Sequence, residues 1–176
     1  GQYINRDINK AIKYYKIASN HNHVQAQFDL GLIYNEGKYV KHDINKAIYY
    51  FTLASYQNDS QANFNLGIIY YTGKYIPRDI QKTIYYYSLA SNQNHSQAQH
   101  NLGVIFIDGK YIERNISKSI YYFTLASKQN NPQSCFNLGF IYYNNVFDIQ
   151  DIKKAIYFFK QASDQNLPEA NYYLGQ

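Results

Sequence analysis

The sequence has few of the residues that disulfides, metal sites and membrane spans require. Its 176 residues include one cysteine, Cys135, and no methionine or tryptophan. One cysteine excludes an internal disulfide and a metal site built from several cysteines. No apolar run approaches the roughly 18 residues that a membrane-spanning helix needs, and no basic-then-apolar leader is visible. We therefore expect no membrane span and no cofactor, and these absences favour an intracellular location.

Charged residues are scarce as well, at 16% of the chain, and the formal net charge is only +5. Because hydrophobic residues make up 45%, we expect a folded chain rather than a disordered one. Long blocks of like charge are absent, so we expect neither an arm for nucleic acid nor an acidic tail. The absence of methionine indicates that Gly1 is not a natural start and predicts a fragment of a longer protein. The residues in excess are aromatic, with 22 tyrosines and 10 phenylalanines.

The sequence repeats with a period of 36 residues. Leu-Gly pairs mark each step, at Leu30-Gly31, Leu66-Gly67, Leu102-Gly103, Leu138-Gly139 and Leu174-Gly175. No insertion breaks the register, so we predict a single repeat domain over residues 1–176. Its units are residues 1–36, 37–72, 73–108, 109–144 and a truncated 145–176. A unit this small cannot bury its own apolar face, which predicts that neighbouring units stack on one another.

Each unit has the signals of two helices, which we call helix A and helix B. Helix A follows an Asp or Asn that can cap its free N–H groups, at Asp7, Asp43, Asp79, Asn115 and Asp151. An asparagine recurs just past the end of helix A, where we predict a left-handed backbone, at Asn22, Asn58, Asn94, Asn130 and Asn166. Pro132 and Pro168 indicate the first turn of helix B in two units. Gly31 interrupts helix B at a cost of about 1 kcal/mol against alanine, which predicts a close approach of helix A.

These residues resemble the Sel1-like repeat, a relative of the tetratricopeptide repeat. The resemblance covers essentially the whole chain and is carried by Ala26, Leu30-Gly31, Tyr34, Gly37, Asp43, Lys46-Ala47, Tyr50 and Ala54-Ser55. It implies an all-α, right-handed α/α superhelix (solenoid) of helix-turn-helix repeats, and we expect helix A to line its concave side. The chain departs from the family pattern where Thr83 and Ser119 replace a small alanine. It departs again where Asn144-Asn145-Val146-Phe147 replaces a Gly-Lys-Tyr turn.

No catalytic or metal-binding constellation is visible in the sequence. His21 and His23 form a two-ligand fragment without a third ligand in register. His23 and His95 share a position at the start of helix B with Asp59 and Asn131, so capping explains this set better than a metal does.

Two further residues depart from their repeat equivalents. His100 replaces an aromatic residue, and we interpret it as a hydrogen-bonded core histidine rather than a site. Cys135 stands where the other units have Gln27, Asn63, Gln99 and Asn171. Because those equivalents are polar, we expect the position to be partly exposed. We expect the thiol to be unreactive, because the sequence indicates no base that would activate it.

One face of helix A has a tyrosine in four of the five units. On a wheel of about 100° per residue, position 13 lies about 200° from Ala11, opposite the apolar stripe. The residues at this position are Lys13, Tyr49, Tyr85, Tyr121 and Tyr157, and Thr52, Ser88 and Thr124 follow three residues after the first three tyrosines. We predict that they form a groove for a protein or peptide partner. The alternative is that the rings pack between neighbouring helices.

The family resemblance implies a non-catalytic scaffold or adaptor that binds a partner segment along the helix-A face. A regulatory repeat module of a larger signalling enzyme, such as a protein kinase, is the alternative. A hydrolase of the β-lactam type is less favoured, because such family members are rich in cysteine. Repeating lysines such as Lys46, Lys82 and Lys154 would suit an acidic partner or nucleic acid, but a solvated and self-paired surface explains them better.

Overall fold

The computed structural model describes residues 8–144 and 149–176, and within these ranges it contains ten α-helices and no strand. The chain divides into two compact units, Gly1–Ala90 and Ser91–Gln176. Below, 'first unit' and 'second unit' mean these two, and each 36-residue segment is called a repeat. The first unit contains α1 (Ile8–Asn20), α2 (Val24–Glu36), α3 (Ile44–Tyr56), α4 (Ser60–Thr72) and nearly all of α5 (Ile80–Asn92). The second contains α6 (Ser96–Asp108), α7 (Ile116–Ser127), α8 (Pro132–Tyr143), α9 (Ile152–Ser163) and α10 (Pro168–Leu174). Odd-numbered helices are helix A and even-numbered ones are helix B, which confirms the predicted helix-turn-helix repeat.

The predicted caps of helix A are confirmed in four repeats. The side-chain oxygen of Asp43 accepts a hydrogen bond of 3.0 Å from the backbone N–H of Lys46. Asp79, Asn115 and Asp151 make the same bond at 2.9, 2.9 and 3.0 Å. Each cap satisfies a backbone donor that the first turn of a helix leaves free. The cap predicted at Asp7, like most of the altered turn after Asn144, lies outside the described residues.

The turn between helices A and B has a left-handed residue in every repeat, as predicted. The five asparagines have φ between 57° and 60°, namely Asn22, Asn58, Asn94, Asn130 and Asn166. The residue directly after the asparagine closes the end of helix A, for example through the bond from His23 N–H to the Ala18 carbonyl at 3.0 Å. Helix B then begins with the expected caps, because the ring nitrogens of His23 and His95 accept from backbone N–H groups at 3.3 Å.

The core of each unit is built where helix A packs on the preceding helix B. In the first unit, Leu30 of α2 and Phe51 of α3 are fully buried in one apolar cluster. In the second unit, Cys135 of α8 and Phe159 of α9 are buried in another. Gly31 explains this close packing, because a β-carbon there would lie 2.5 Å from the Phe51 ring. The predicted approach is therefore made by an aromatic side chain of the next helix A.

Position 27 of the repeat is buried in four of its five copies, where our expectation of partial exposure is wrong, whereas Asn171 in the fifth copy is exposed. Gln27, Asn63, Gln99 and Cys135 are each about 1% exposed. They can be buried because they find internal partners. Gln27 accepts from the amide of Gln57 at 2.7 Å, and Gln99 accepts from Gln129 at the same distance. The sequence does not show these partners because they lie 30 residues away, just past the C-terminal end of the next helix A.

Candidate functional site

The four tyrosines at position 13 of the repeat lie on the surface. Tyr49 and Tyr85 of the first unit are each 58% exposed, and Tyr121 and Tyr157 of the second are 59% and 56% exposed. They lie on α3, α5, α7 and α9, which are all copies of helix A. The alternative prediction, in which these rings are buried between neighbouring helices, disagrees with exposed fractions of more than half.

Each exposed tyrosine is held by the aromatic residue that follows it. Tyr49 meets Tyr50 edge to face at 5.1 Å between ring centroids, and Tyr85 meets Tyr86 in the same way at 5.0 Å. The inner ring is itself stacked on helix B, since Tyr50 lies parallel to Tyr34 at 5.8 Å. The second unit repeats both contacts. Such aromatic pairs are favourable beyond their buried area, so each exposed ring is oriented before any partner arrives.

The hydroxyl residues predicted beside the tyrosines are half-buried. Thr52, Ser88 and Thr124 show intermediate exposure, whereas Lys13 on α1 is exposed. Burial raises the pKa of the Tyr86 phenol of α5, and Thr52 of α3 lies close enough to its hydroxyl to lower that pKa in part. The two residues belong to successive copies of helix A in the first unit and lie beside Tyr85.

A cavity of about 300 Å³ opens at this point between α3 and α5. We call it the α3–α5 cavity, and its lining residues are Thr52, Ser55, Tyr56, Asn58, Tyr85, Tyr86 and Leu89. None of these seven residues is an aspartate, glutamate, lysine, arginine or histidine, and six of them have a hydroxyl or an amide in the side chain. Burial raises the pKa of Tyr86, so its phenol stays neutral at physiological pH. The cavity therefore offers hydrogen-bonding groups and ring surface without formal charge.

Tyr56, which lines this cavity, was not predicted as a site residue from the sequence. Tyr56 is the last residue of α3 and is 79% exposed. Its equivalents in the other repeats are Asn20, Asn92, Lys128 and Asp164. A search for recurring residues misses a tyrosine that occurs once, and the available signal was the departure of that one residue from its equivalents.

A larger cavity of about 740 Å³ lies at the end of the first unit, on α1 and α2. Ile8, Ala11 and Tyr15 of α1 line it. Their repeat equivalents Ala47 and Phe51 are fully buried against α2 in the same unit. The cavity is thus the face that a preceding helix B covers in the next repeat, and repeat stacking accounts for it.

His100 has the internal partner that the sequence analysis favoured. Its Nδ1 lies 2.9 Å from the Ser134 hydroxyl, and its ring centroid is 5.6 Å from that of Phe123. Ser134 is fully buried and replaces the alanine found at Ala26 and its other equivalents. Burial lowers the pKa of His100, which keeps the ring neutral. The pair is a polar substitute for a Phe/Ala pair inside the core.

Three lysines at one position of helix A, Lys46, Lys82 and Lys154, each pair with an aspartate of the same repeat. Lys46 lies 3.0 Å from Asp43, and Lys154 lies 3.1 Å from Asp151. The same two ammonium groups sit over the rings of Tyr34 and Tyr142 at 5.2 and 5.0 Å. The pKa of Asp43 is lowered by the backbone N–H of Lys46 and by its ammonium group. These contacts favour a self-paired surface over an acidic partner.

Two features of the described part of the chain concern catalysis and metal binding, namely the environment of Cys135 and the grouping of possible metal ligands. Cys135 is buried, and burial raises the pKa of its thiol above the ordinary value. A nucleophilic cysteine needs the opposite shift. In residues 8–144 and 149–176 there is no group of three or more His, Cys, Asp or Glu that could hold a metal ion. Within the same ranges, no helix has the length and apolarity to cross a membrane.

Within the described residues, ten helices occur in repeats of 36 residues, and in four places a glycine of helix B packs against an aromatic ring of the next helix A. This arrangement defines an α-solenoid repeat protein. The sequence profile of the Sel1 repeat matches residues 1–23, 24–59, 60–95, 96–131 and 132–167. The chain therefore belongs to the Sel1 repeat family. Sel1 repeat proteins are generally protein-interaction scaffolds.

Solved structures of similar fold come from several bacteria. A Sel1 repeat protein from Oxalobacter formigenes is 30% identical with a TM-score of 0.80, over 94% of this chain and 67% of that one. Cysteine-rich protein B of Helicobacter pylori is 27% identical with a TM-score of 0.57, over 77% of this chain and 97% of that one. The protective antigen c5321 of uropathogenic Escherichia coli, at 23% identity and a TM-score of 0.57, shares the fold over 93% of this chain and 43% of its own. A comparison with curated protein sequences gave no significant match.

Proposed function

We propose that this chain is a non-catalytic interaction module that binds a partner protein segment on the exposed face of its helices A. The observation that carries the proposal is the set of surface tyrosines Tyr49, Tyr85, Tyr121 and Tyr157, each oriented by an edge-to-face contact. Tyrosine is enriched at interaction hot spots. A ring that is already ordered also loses less conformational entropy on binding.

Neighbouring side chains support the same face. Thr52, Ser88 and Thr124 bring half-buried hydroxyls close to three of the tyrosines. Ion pairs with Asp43, Asp79 and Asp151 compensate the charge of one lysine on each of α3, α5 and α9. A partner recognised here would be held by ring contacts and hydrogen bonds, with a modest dependence on salt.

Affinity capture with matched variants tests the proposal. One variant, Tyr85→Ala with Tyr121→Ala, removes one ring from each unit. The control, Tyr75→Ala with Tyr111→Ala, removes exposed tyrosines of the same repeats from a different surface. We expect the control to capture the same partners as the parent chain, and the test variant to lose them while keeping its helical circular dichroism. Equal capture by the two variants would refute a role for these tyrosines, and unfolding of the test variant would show that the rings are core.

A regulatory role beside an enzyme is the second form of this proposal, since a module that binds proteins can serve a larger signalling chain. The tyrosine face would then bind either the enzyme domain itself or its substrate. Sequencing of the whole gene product distinguishes the two forms. The capture experiment above applies to both.

A further inference from the structure

We propose that the α3–α5 cavity is the binding site for a proline-rich segment in the polyproline II conformation. This inference rests on the proposed function and names the kind of partner that the first unit recognises. Three properties of the cavity carry it, namely its hydrogen-bonding groups, its lack of charge and its exposed rings.

The hydrogen-bonding groups suit a backbone that offers acceptors. A polyproline II segment has no internal hydrogen bonds and leaves its carbonyl groups open. Its prolines have no backbone N–H, so such a ligand supplies few donors of its own. The side chains of Tyr56, Asn58 and Tyr85 each contain a donor, and all three line the cavity. The cavity therefore complements a ligand that presents carbonyl oxygens.

The lack of charge disfavours other common ligands. A phosphorylated or acidic segment needs arginine or lysine in its site, and the seven lining residues include neither. A basic segment would need a carboxylate, which the lining lacks as well. A charge moved into this cavity would lose water without gaining a partner. An uncharged segment binds without that penalty.

The exposed rings match the shape of proline side chains. Proline-rich segments dock into aromatic-lined grooves because their extended form is already ordered. Tyr85 is held edge to face by Tyr86, and Tyr56 stands at the rim of the cavity. A cavity of about 300 Å³ buries little area, so a ligand that loses little entropy on binding is favoured there.

The equivalent residue of another repeat suggests a test variant for Tyr56. Lys128 is the equivalent of Tyr56 in the second unit, so Tyr56→Lys places a residue that the repeat already accepts there. Because Tyr56 is 79% exposed at a helix end, this change should leave the fold intact. Tyr85→Ala is the second variant, and Tyr75→Ala on another surface is the control.

The experiment is an isothermal titration with a proline decamer, compared with a Gly-Ser decamer and a glutamate decamer. We expect saturable binding of the proline decamer only. Tyr56→Lys and Tyr85→Ala should each weaken it by about tenfold, as loss of a hot-spot ring does, whereas Tyr75→Ala should change it by less than about twofold. Equal binding of the Gly-Ser or glutamate decamer, or unchanged affinity in both cavity variants, would overturn the inference.

The titration also separates this inference from the proposed function. If the proline decamer does not bind but captured partners are lost in the Tyr85→Ala and Tyr121→Ala variant, the occupant is wrong and the interaction face stands. If the decamer binds and the cavity variants abolish that binding, both are supported.

Discussion

The ring of Phe51 covers Gly31 so closely that a β-carbon on the glycine would lie 2.5 Å from two ring atoms. The relationship recurs between Gly67 and Tyr87, Gly103 and Phe123, and Gly139 and Phe159. It joins each helix A to the helix B before it in the chain. Two positions of the repeat, one without a side chain and one with a ring, therefore determine how closely neighbouring helices pack.

Gly31→Ala should destabilise the protein although alanine is the better helix former. Helix propensity alone favours alanine by about 1 kcal/mol. The fully buried Phe51 ring would have to move, however, and overpacking of this kind typically costs about 1–3 kcal/mol. Urea unfolding followed by circular dichroism measures the difference.

Gly175→Ala is the matched control for that substitution. A β-carbon at Gly175 would meet its nearest neighbours at 3.6 and 3.8 Å, which is ordinary contact. We expect this variant to unfold at nearly the same urea concentration as the parent chain. A Gly31→Ala variant that is more stable than the Gly175→Ala control, by the roughly 1 kcal/mol that helix propensity contributes, would mean that the ring contact sets no limit on packing.

The left-handed turn predicts that two substitutions at Asn94 differ in their effect on stability. Its φ of 60° is a conformation that alanine adopts at a cost of about 1–2 kcal/mol and that glycine adopts freely. Asn94→Ala should therefore lower the free energy of unfolding by about 1 kcal/mol, while Asn94→Gly should leave it nearly unchanged. Thermal or urea unfolding of the pair decides this, and equal stability of the two variants would contradict the role assigned to the turn.

The fold could be predicted largely from the sequence, because each local signal occurs up to five times. A cap such as Asp43, a left-handed residue such as Asn58 and a helix-interior glycine such as Gly31 each have a local physical cause. Their recurrence at one period leaves little choice of architecture. The same reasoning could not place Gln27 in the core, because its partner Gln57 lies just past the end of another helix and such pairing leaves no local pattern.

The candidate site could be predicted only in part. The outward direction of Tyr49 and Tyr85 follows from helical geometry, and the structure bears it out. The α3–α5 cavity could not be predicted from helical geometry, since it depends on Tyr56, which no other repeat has at this position. Recurring residues identify what every repeat needs for stacking. A site that only one repeat forms is marked instead by a residue that differs from its equivalents.

Asp43→Ala should cost about 1 kcal/mol of stability through the loss of a helix cap. Asp43 accepts from the Lys46 backbone at 3.0 Å and pairs with the Lys46 ammonium at 3.0 Å. Asp43→Asn is the matched control, since Asn115 performs the same capping in another repeat. The control keeps the cap and loses only an exposed ion pair, so it should cost no more than a few tenths of a kcal/mol. Equal losses in urea unfolding would show that the ion pair, rather than the cap, stabilises α3.

The contact between His100 and Ser134 predicts a pH dependence of stability. Burial lowers the pKa of His100 from its ordinary 6.5. Below about pH 6.5 the unfolded chain therefore binds more protons at this residue than the folded chain does. Stability should be complete above that pH, begin to fall as the pH drops through it, and continue to fall toward the lower pKa of the folded state.

The double variant His100→Phe with Ser134→Ala isolates this effect, because it restores the residue types found at Phe136 and Ala170. α7 presents Phe123 to His100 and α8 presents Ser134, so neither of these contacts brings a charge to the ring. Burial also lowers the pKa of His95, but that residue is present in both proteins and its contribution cancels. Urea unfolding at pH 7.5 and pH 5.5 should show a smaller loss of stability in the variant than in the parent chain. Equal losses in the two proteins would mean that His100 becomes protonated without disturbing the core.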